Sequence, residues 1–274
     1  MVPNGKTVLI TGSTDGVGRL VARRLGASGW NVLLHGRDRE RGETLGAEIA
    51  AGRPGAATFY RADFSSLDAV RGLAAAIRRD RPRLDLLINN AGIGSASGGR
   101  QRRTSADGHE LRFAVNYLAG FLLTRLLLPL IVESAPARIV NVASAGQFPI
   151  DFDDPMLETS YDGARAYAQS KLAQIMFTID LARELAGSGV TVNALHPATY
   201  MDTTMVRASG ITPASTVEEG ADAILNLAIA PALEGRSGLY FDRQRESGAN
   251  PQAYDQEARD ELRQLSMRLT GLGL

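Results

Sequence analysis

Short apolar runs alternate with longer amphipathic ones from the first residues of the chain. Seven runs read as strands: TVLIT (7–11), NVLLHG (31–36), ATFYRAD (57–63), LDLLINNAG (84–92), ARIVNVAS (137–144), VTVNALHP (190–197) and GLYFD (238–242). The first six are apolar nearly throughout, the pattern of strands covered on both faces. Between them, helical periodicity covers 17–28, 39–51, 66–79, 108–133, 162–187 and 217–230. Alternation at this spacing predicts one α/β domain spanning residues 1–274, a Rossmann-type doubly wound parallel sheet of about seven strands flanked by helices. No internal repeat or composition break marks a linker.

Two segments interrupt the rhythm. Residues 93–107, GIGSASGGRQRRTSA, are rich in Gly, Ser and Arg, and residues 198–216 lack periodicity. Both follow strands, and ligands of doubly wound sheets bind beyond the carboxyl ends of strands, so both are expected to border a site. The tail 251–274 ends in a polar helix.

Composition removes several classes of function. The chain has no cysteine, which excludes disulfides, thiolate metal sites and a cysteine nucleophile. His35, His109 and His196 lie far apart and without ligand spacing, so no metal site is expected. Thirty basic residues balance thirty acidic ones, and no net field draws the protein to nucleic acid. The basic run Arg100, Arg102 and Arg103 reads as a solvated or anion-touching loop. The amino terminus has too short an apolar run for a signal peptide. AGFLLTRLLLPLIV carries Arg125 and Pro129 and falls short of about 18 apolar residues, so it reads as a buried helix, with no membrane span and a cytoplasmic location expected.

The first strand–helix junction, VLITGSTDGVGRLVARRL, carries Gly12, Gly16 and Gly18. Glycine permits a tight turn and close approach of backbone N–H groups to an anion, and the helix N-terminus adds partial positive charge. A glycine-rich connection that merely packs tightly is the alternative; the strand-before, helix-after context favours a dinucleotide. At the tip of the second strand, where a carboxylate would hold a ribose diol, Gly36 is followed by Arg37, whose forked donors suit a 2′-phosphate. NADP(H) is therefore expected over NAD(H). Asp38 could still turn inward, or Arg37–Glu40 could simply start a helix. Asp63 could accept from the adenine amino group or cap the helix near Leu67.

The set TGSTDGVG, NNAG (89–92), Asn116, Ser144 in NVAS and YAQSK (167–171) resembles the short-chain dehydrogenase/reductase family, in order and separation, over residues 6 to about 242. DGHELRFAVNYLAGFLLTRLLLPL, AYAQSKLAQIMFTIDLARELAGSGVTVNALHP, the long insert between Ser144 and Tyr167 and the ending AYDQEARDELRQLSMRLTGL look like its retinol-dehydrogenase-like and WW-domain-oxidoreductase-like branch. The resemblance implies a cofactor site at Gly12, Ser13, Asp15, Gly16, Val17, Gly18, Arg37, Asp63, Asn90, Ala91, Gly92, Tyr167, Lys171, Pro197 and Thr199. It implies Tyr167 as proton donor or acceptor, Ser144 as hydrogen-bond donor to the same substrate oxygen, Lys171 on the nicotinamide ribose, and Asn116 holding a water that connects the lysine to solvent. Two departures, Pro197-Ala198 for Pro-Gly and Tyr117 where histidine is common, fall on the expected substrate side and bear on substrate identity.

The spacing of Tyr167 and Lys171 has a physical use of its own. Four residues apart they share a helix face, and two unit charges about 4 Å apart at an effective dielectric of 20 interact by roughly 4 kcal/mol, about three pKa units. The lysine is thus expected to lower the phenol's pKa. Tyr161 and Arg165 have the same spacing, but six positions from Tyr167 turn Tyr161 about 120° away, onto wall or packing duty.

The expected function is an NADP(H)-dependent oxidoreductase that interconverts a carbonyl and an alcohol. Phe148, Phe152, Tyr161, Met201, Met205 and Ile211 could line a pocket for a hydrophobic or aromatic small molecule. The alternative is a nucleotide-binding regulator that keeps the fold without turnover; the presence of both Tyr167 and Lys171 speaks against it. Helices 108–133 and 162–187 correspond to those that often pair between subunits in the family, so a homodimer or homotetramer is expected.

Overall fold

The computed structural model describes residues 5–51, 57–95 and 101–273. Arg100 and its four preceding loop residues lie outside that set. Eight strands form one sheet: β1 (Thr7–Ile10), β2 (Asn31–Gly36), β3 (Ala57–Arg61), β4 (Leu86–Asn89), β5 (Ala137–Val142), β6 (Val190–His196), β7 (Tyr240–Asp242) and β8 (Arg245–Glu246). Their order is β3-β2-β1-β4-β5-β6-β7-β8, parallel from β3 to β7 and antiparallel only at β8. The order reverses between β1 and β4, which places the crevice of a doubly wound sheet at their carboxyl ends.

Alternate side chains of each strand feed two cores. Val8 and Ile10 of β1, Val32 and Leu34 of β2 and Leu86 and Ile88 of β4 pack under α1 (Gly16–Ala27), α2 (Arg39–Ala50) and α7 (Val217–Ile229). Leu9, Leu33 and Leu87 face the opposite layer of α3 (Leu67–Asp80), α4 (Ala119–Glu133), α5 (Gly163–Glu184) and α8 (Gln256–Thr270). Two-sided burial explains why these strands read as unbroken apolar runs. β3 departs from that expectation. It is an edge strand, stops at Arg61 rather than residue 63, and is only half-buried along most of its length. The eighth strand, two exposed residues, has too little apolar pattern to be read from sequence.

The helix expected over 108–133 begins later, at Leu111, because Thr104 and Glu110 pair across an antiparallel bridge closed by Gly108 at φ +83°. It then widens into a π-helical turn, Phe113–Leu118, before continuing as α4. The stretch Phe113–Glu133 is long and apolar enough to cross a membrane by length and composition, and most of it is buried inside the protein. The segment 198–216 is not wholly irregular. It holds the short helix α6 (Thr204–Ala208), and its ends meet at a parallel bridge between Met201 and Ser215.

Tyr117, expected on the substrate side, lies instead in the core. Its ring meets Phe113, Phe121 and Phe177, and its hydroxyl shares a 2.7 Å hydrogen bond with Ser266 of α8. The reason is the return of α8 across this layer, which covers a position that would otherwise face outward. The same layer buries α5 without a break from Gln169 to Ile179. Tyr117→Phe, which removes the bond to Ser266 while that serine still donates to Leu262 O, is expected to cost about 1 kcal/mol in urea unfolding and to leave cofactor affinity unchanged.

Candidate active site

The β1–α1 turn and the loop after β4 form one close-packed knot. Asn90 Nδ2 donates to Thr11 O at 2.9 Å and to Gly12 O at 3.0 Å, while Thr11 Oγ1 accepts from the amides of Asn90 and Ala91 at 2.9 and 3.0 Å. A Cβ on Gly12, which has φ +65°, would stand 2.8 Å from Ala91 Cα; one on Gly18 would stand 2.4 Å from Gly12 O and 2.5 Å from Asn90 Nδ2. Glycine at these positions is a spatial requirement. Asn90 and Ala91 thus brace the turn from behind, while Gly92 looks toward Asn116 and Lys171.

The remaining turn residues divide by role. Ser13 is buried and tied to β2: its N and Oγ donate to His35 O, and its Oγ accepts from His35 N. The ring of His35 accepts from Gly12 N at 3.2 Å through Nδ1, and burial pushes its pKa down to about 4. Asp15 caps α1 by accepting from Gly16 N, and Val17 anchors that helix in the core. At the end of β2, Arg37 is exposed and its carbonyl accepts from Arg61 Nε at 3.0 Å. Asp38 does not turn inward; it caps α2 by accepting from Arg41 N. Arg41 then lies between Asp38 and Asp15, at 3.5 and 3.4 Å. Asp63 is exposed and accepts from Ser65 N, whereas α3 is capped by Ser66, so the capping alternative for Asp63 fails. Arg41 and Arg61 were not singled out in the sequence, because charges in a helix start and on an edge strand look like solvated surface.

Around the end of β5 the predicted catalytic residues converge. Ser144 is buried and its Oγ accepts from Gly146 N at 3.0 Å. Burial pushes the Tyr167 phenol up in pKa, and its hydrogen-bonding neighbour Ser144 pulls the other way. The expected lowering by Lys171 is not the arrangement found. Lys171 Nζ lies 5.7 Å from the Tyr167 ring centroid and donates to Val142 O at 2.9 Å and Gln174 Oε1 at 3.0 Å. Burial alone lowers the lysine to about 7. Asn116 sits in the π-helical turn, a feature often found at functional sites. Its Oδ1 accepts from Ile93 N at 2.7 Å, and its Nδ2 donates to Ile93 O and to Ser170 Oγ.

On the open side, Pro197 is buried and Thr199 exposed, with Thr199 Oγ1 3.1 Å from His196 Nε2. The α6 segment reaches the β1–α1 turn: a Cβ on Gly16 would meet Thr203 Cγ2 at 3.3 Å. The expected apolar pocket is redistributed. Phe152 packs against one core and Met201 against the other, while Phe148, Met205 and Ile211 are exposed. Tyr161 takes the packing alternative. Its hydroxyl accepts from Arg112 and donates to Glu110 Oε1, both fully buried, and burial with the Glu110 charge pushes its pKa up to about 12. Tyr200 was missed altogether. It is half-exposed, holds φ +45°, a strained value for a side-chain-bearing residue, and lies within electrostatic reach of the Tyr167 phenol.

These residues fit a nicotinamide dinucleotide: a turn with no room for a side chain at Gly12 and Gly18, beside a buried ammonium whose hydrogen-bond partners among the described residues are neutral oxygens. Such a crevice defines a dinucleotide-dependent α/β oxidoreductase. Residues 6–213 match the model of the short chain dehydrogenase family, and the chain belongs to that family. It is 40% identical to human retinol dehydrogenase 13 over 98% of this chain and 85% of that protein, which places it in the retinol-dehydrogenase-like branch of carbonyl/alcohol oxidoreductases. Solved structures of the same fold carry either cofactor. The Pseudomonas aeruginosa RhlG/NADP active-site complex is 28% identical (TM-score 0.69; 88% of this chain and 95% of that chain). The 3-ketoacyl-(acyl-carrier-protein) reductase from Brucella melitensis complexed with NADH is 26% identical (TM-score 0.69; 87% and 96%).

Two outcomes follow from this geometry. Gly18→Ala is expected to weaken binding of NADPH at least tenfold by fluorescence titration, although alanine is the better helix former, because the methyl group displaces the Asn90 amide. Lys171, near 7 folded and about 10.4 unfolded, binds fewer protons in the folded state throughout that interval, so its contribution makes stability rise with pH there. Urea unfolding of the cofactor-free protein at pH 7 and pH 9 is expected to show this gain in the wild type and to lack it in Lys171→Met.

Proposed function

We propose that this protein is an NADP(H)-dependent oxidoreductase that interconverts a carbonyl and an alcohol on a hydrophobic small molecule, with Tyr167 as general acid and base. The observation that carries the reading is the meeting of Ser144, the Tyr167 phenol and the buried Lys171 ammonium at the end of β5, one strand from the β1–β4 crevice. A nicotinamide cofactor, when bound, supplies or accepts the hydride. Ser144 Oγ hydrogen-bonds the substrate oxygen and stabilises the charge that develops there. Burial keeps the Tyr167 phenol protonated near neutrality, the state needed to give its proton to that oxygen in reduction; in oxidation the proton returns to it. The Lys171 ammonium, turning from Val142 O and Gln174 toward the ribose hydroxyls, brings positive charge to the phenolate as it forms.

Arg37 supports the NADP(H) preference, because it stands exposed at the tip of β2 while the nearby carboxylate of Asp38 is spent on capping α2. Exposed Phe148, Tyr200, Met205 and Ile211, from the loops that follow β5 and β6, support an apolar substrate. Retinol, named for the human relative, is an alcohol of that kind.

Tyr167→Phe is expected to lower NADPH-dependent reduction of a panel of hydrophobic ketones and aldehydes by about 10²–10⁴-fold while NADPH still binds. Unchanged turnover would remove Tyr167 from the chemistry, and binding of NADPH without turnover of any substrate by the wild type would favour a regulator. Arg37→Ala is expected to weaken NADPH about tenfold and leave NADH unaffected, measured by fluorescence titration. Equal affinity of the wild type for both cofactors would remove the 2′-phosphate assignment.

A further inference from the structure

The Lys171 ammonium is held by something the family motif does not specify. Gln174 lies one turn further along α5, 4% exposed, and its Oε1 accepts from Lys171 Nζ at 3.0 Å; the second acceptor is Val142 O at 2.9 Å. The main chain that carries each acceptor adjoins one buried polar seam. The main-chain carbonyl of Gln174 accepts from Thr178 Oγ1, which accepts from Asn141 Nδ2, both at 2.8 Å. Asn141 Oδ1 accepts from Asn89 Nδ2, which also donates to Thr124 Oγ1, both at 2.9 Å. The seam therefore ties β4 and β5 to α4 and α5, and Val142, next to Asn141, ends β5.

The groups facing the ammonium are few. Tyr167 comes from its own helix and His196 from the end of β6, where burial lowers the imidazole's pKa, Asp242 opposes that, and Arg243 and Lys171 add smaller downward pushes. Ser144 after β5 and Asn116 in the π-helical turn are neutral. Among the described residues no carboxylate pairs with Lys171, and its own shift has no charged cause.

We propose that Gln174 is a positioning residue of this site: its amide oxygen holds Lys171 Nζ at the carboxyl end of β5 without cancelling its charge. The proposal rests on Lys171 serving the site as set out above. A carboxylate at 174 would hold the ammonium more firmly, but it would neutralise the charge and keep the lysine from turning to another partner. An apolar residue would leave it with one acceptor and a larger desolvation cost. The amide holds the lysine and leaves its charge for the phenol.

The two substitutions shift the lysine in opposite directions, and the difference is readable without turnover. The folded-state pKa of Lys171 is measured from the pH dependence of urea unfolding of the cofactor-free protein, as the difference between each variant and the same variant carrying Lys171→Met. Gln174→Met, similar in volume, is expected to lower it by about one unit, a tenfold loss of proton affinity. Gln174→Glu is expected to raise it by at least one unit. The inflection in NADPH affinity against pH is expected to move the same way in each variant. A lysine pKa that is unchanged in Gln174→Met, or that moves alike in both variants, overturns the proposal. Should Gln174→Glu not fold, the direction in Gln174→Met decides alone. A wild type that turns over no carbonyl would sink the proposed function and leave the Gln174 result standing.

Discussion

A lysine ammonium buried, among the described residues, without a carboxylate partner is the constraint around which the site is arranged. Desolvation of a charged group is costly, and here it is offset only by two neutral oxygens, Val142 O and Gln174 Oε1. Both must be held at hydrogen-bonding distance, which fixes the end of β5 against the middle of α5. Tyr167 stands one turn before Lys171, and Ser144 two residues beyond Val142, so a fixed ammonium also fixes the hydroxyl pair. The polar seam of Gln174, Thr178, Asn141, Asn89 and Thr124 locks that register inside an otherwise apolar layer.

The other half of the crevice depends on space rather than charge. Gly12, Gly18, Asn90 and Ala91 are packed so closely that no side chain fits at the two glycines. The Asn90 amide occupies the room they leave and ties β4 to the turn after β1. Because β4 and β5 are neighbours in the sheet, the knot and the ammonium lie on adjacent strand ends. A dinucleotide laid along this edge would meet the glycine turn at one end and the hydroxyl pair at the other.

What the sequence disclosed and what it hid divide along physical lines. Central strands were legible because two-sided burial makes them continuously apolar, and the glycine turn because close approach restricts the residue type. Tyr167 and Lys171 were legible as one face of a helix. Their mutual placement was not: a four-residue spacing gives the face, but the direction of a lysine's flexible chain depends on acceptors brought by β5 and by Gln174. Tyr117 misled because its surroundings are set by α8, nearly 150 residues away in the chain. Tyr161 was assigned by helical rotation, but it precedes α5, which starts at Gly163, and its partner is the buried pair Arg112–Glu110, which reads as ordinary helix-start charge. The π-helical turn at Asn116 and the left-handed backbone at Tyr200 leave no mark in periodicity, since both are imposed by packing.

Cofactor choice depends on the side chains at the tip of β2, and chemistry on the end of β5, so the two could vary independently on this frame. The central claim is that one substrate oxygen is shared by Ser144 and Tyr167. The most direct measurement is a crystal structure of the protein with NADP⁺ and a hydrophobic alcohol. The alcohol oxygen is predicted within about 2.6–3.2 Å of both Ser144 Oγ and Tyr167 Oη. An oxygen bound away from that pair, or held by Tyr200 alone, would contradict it.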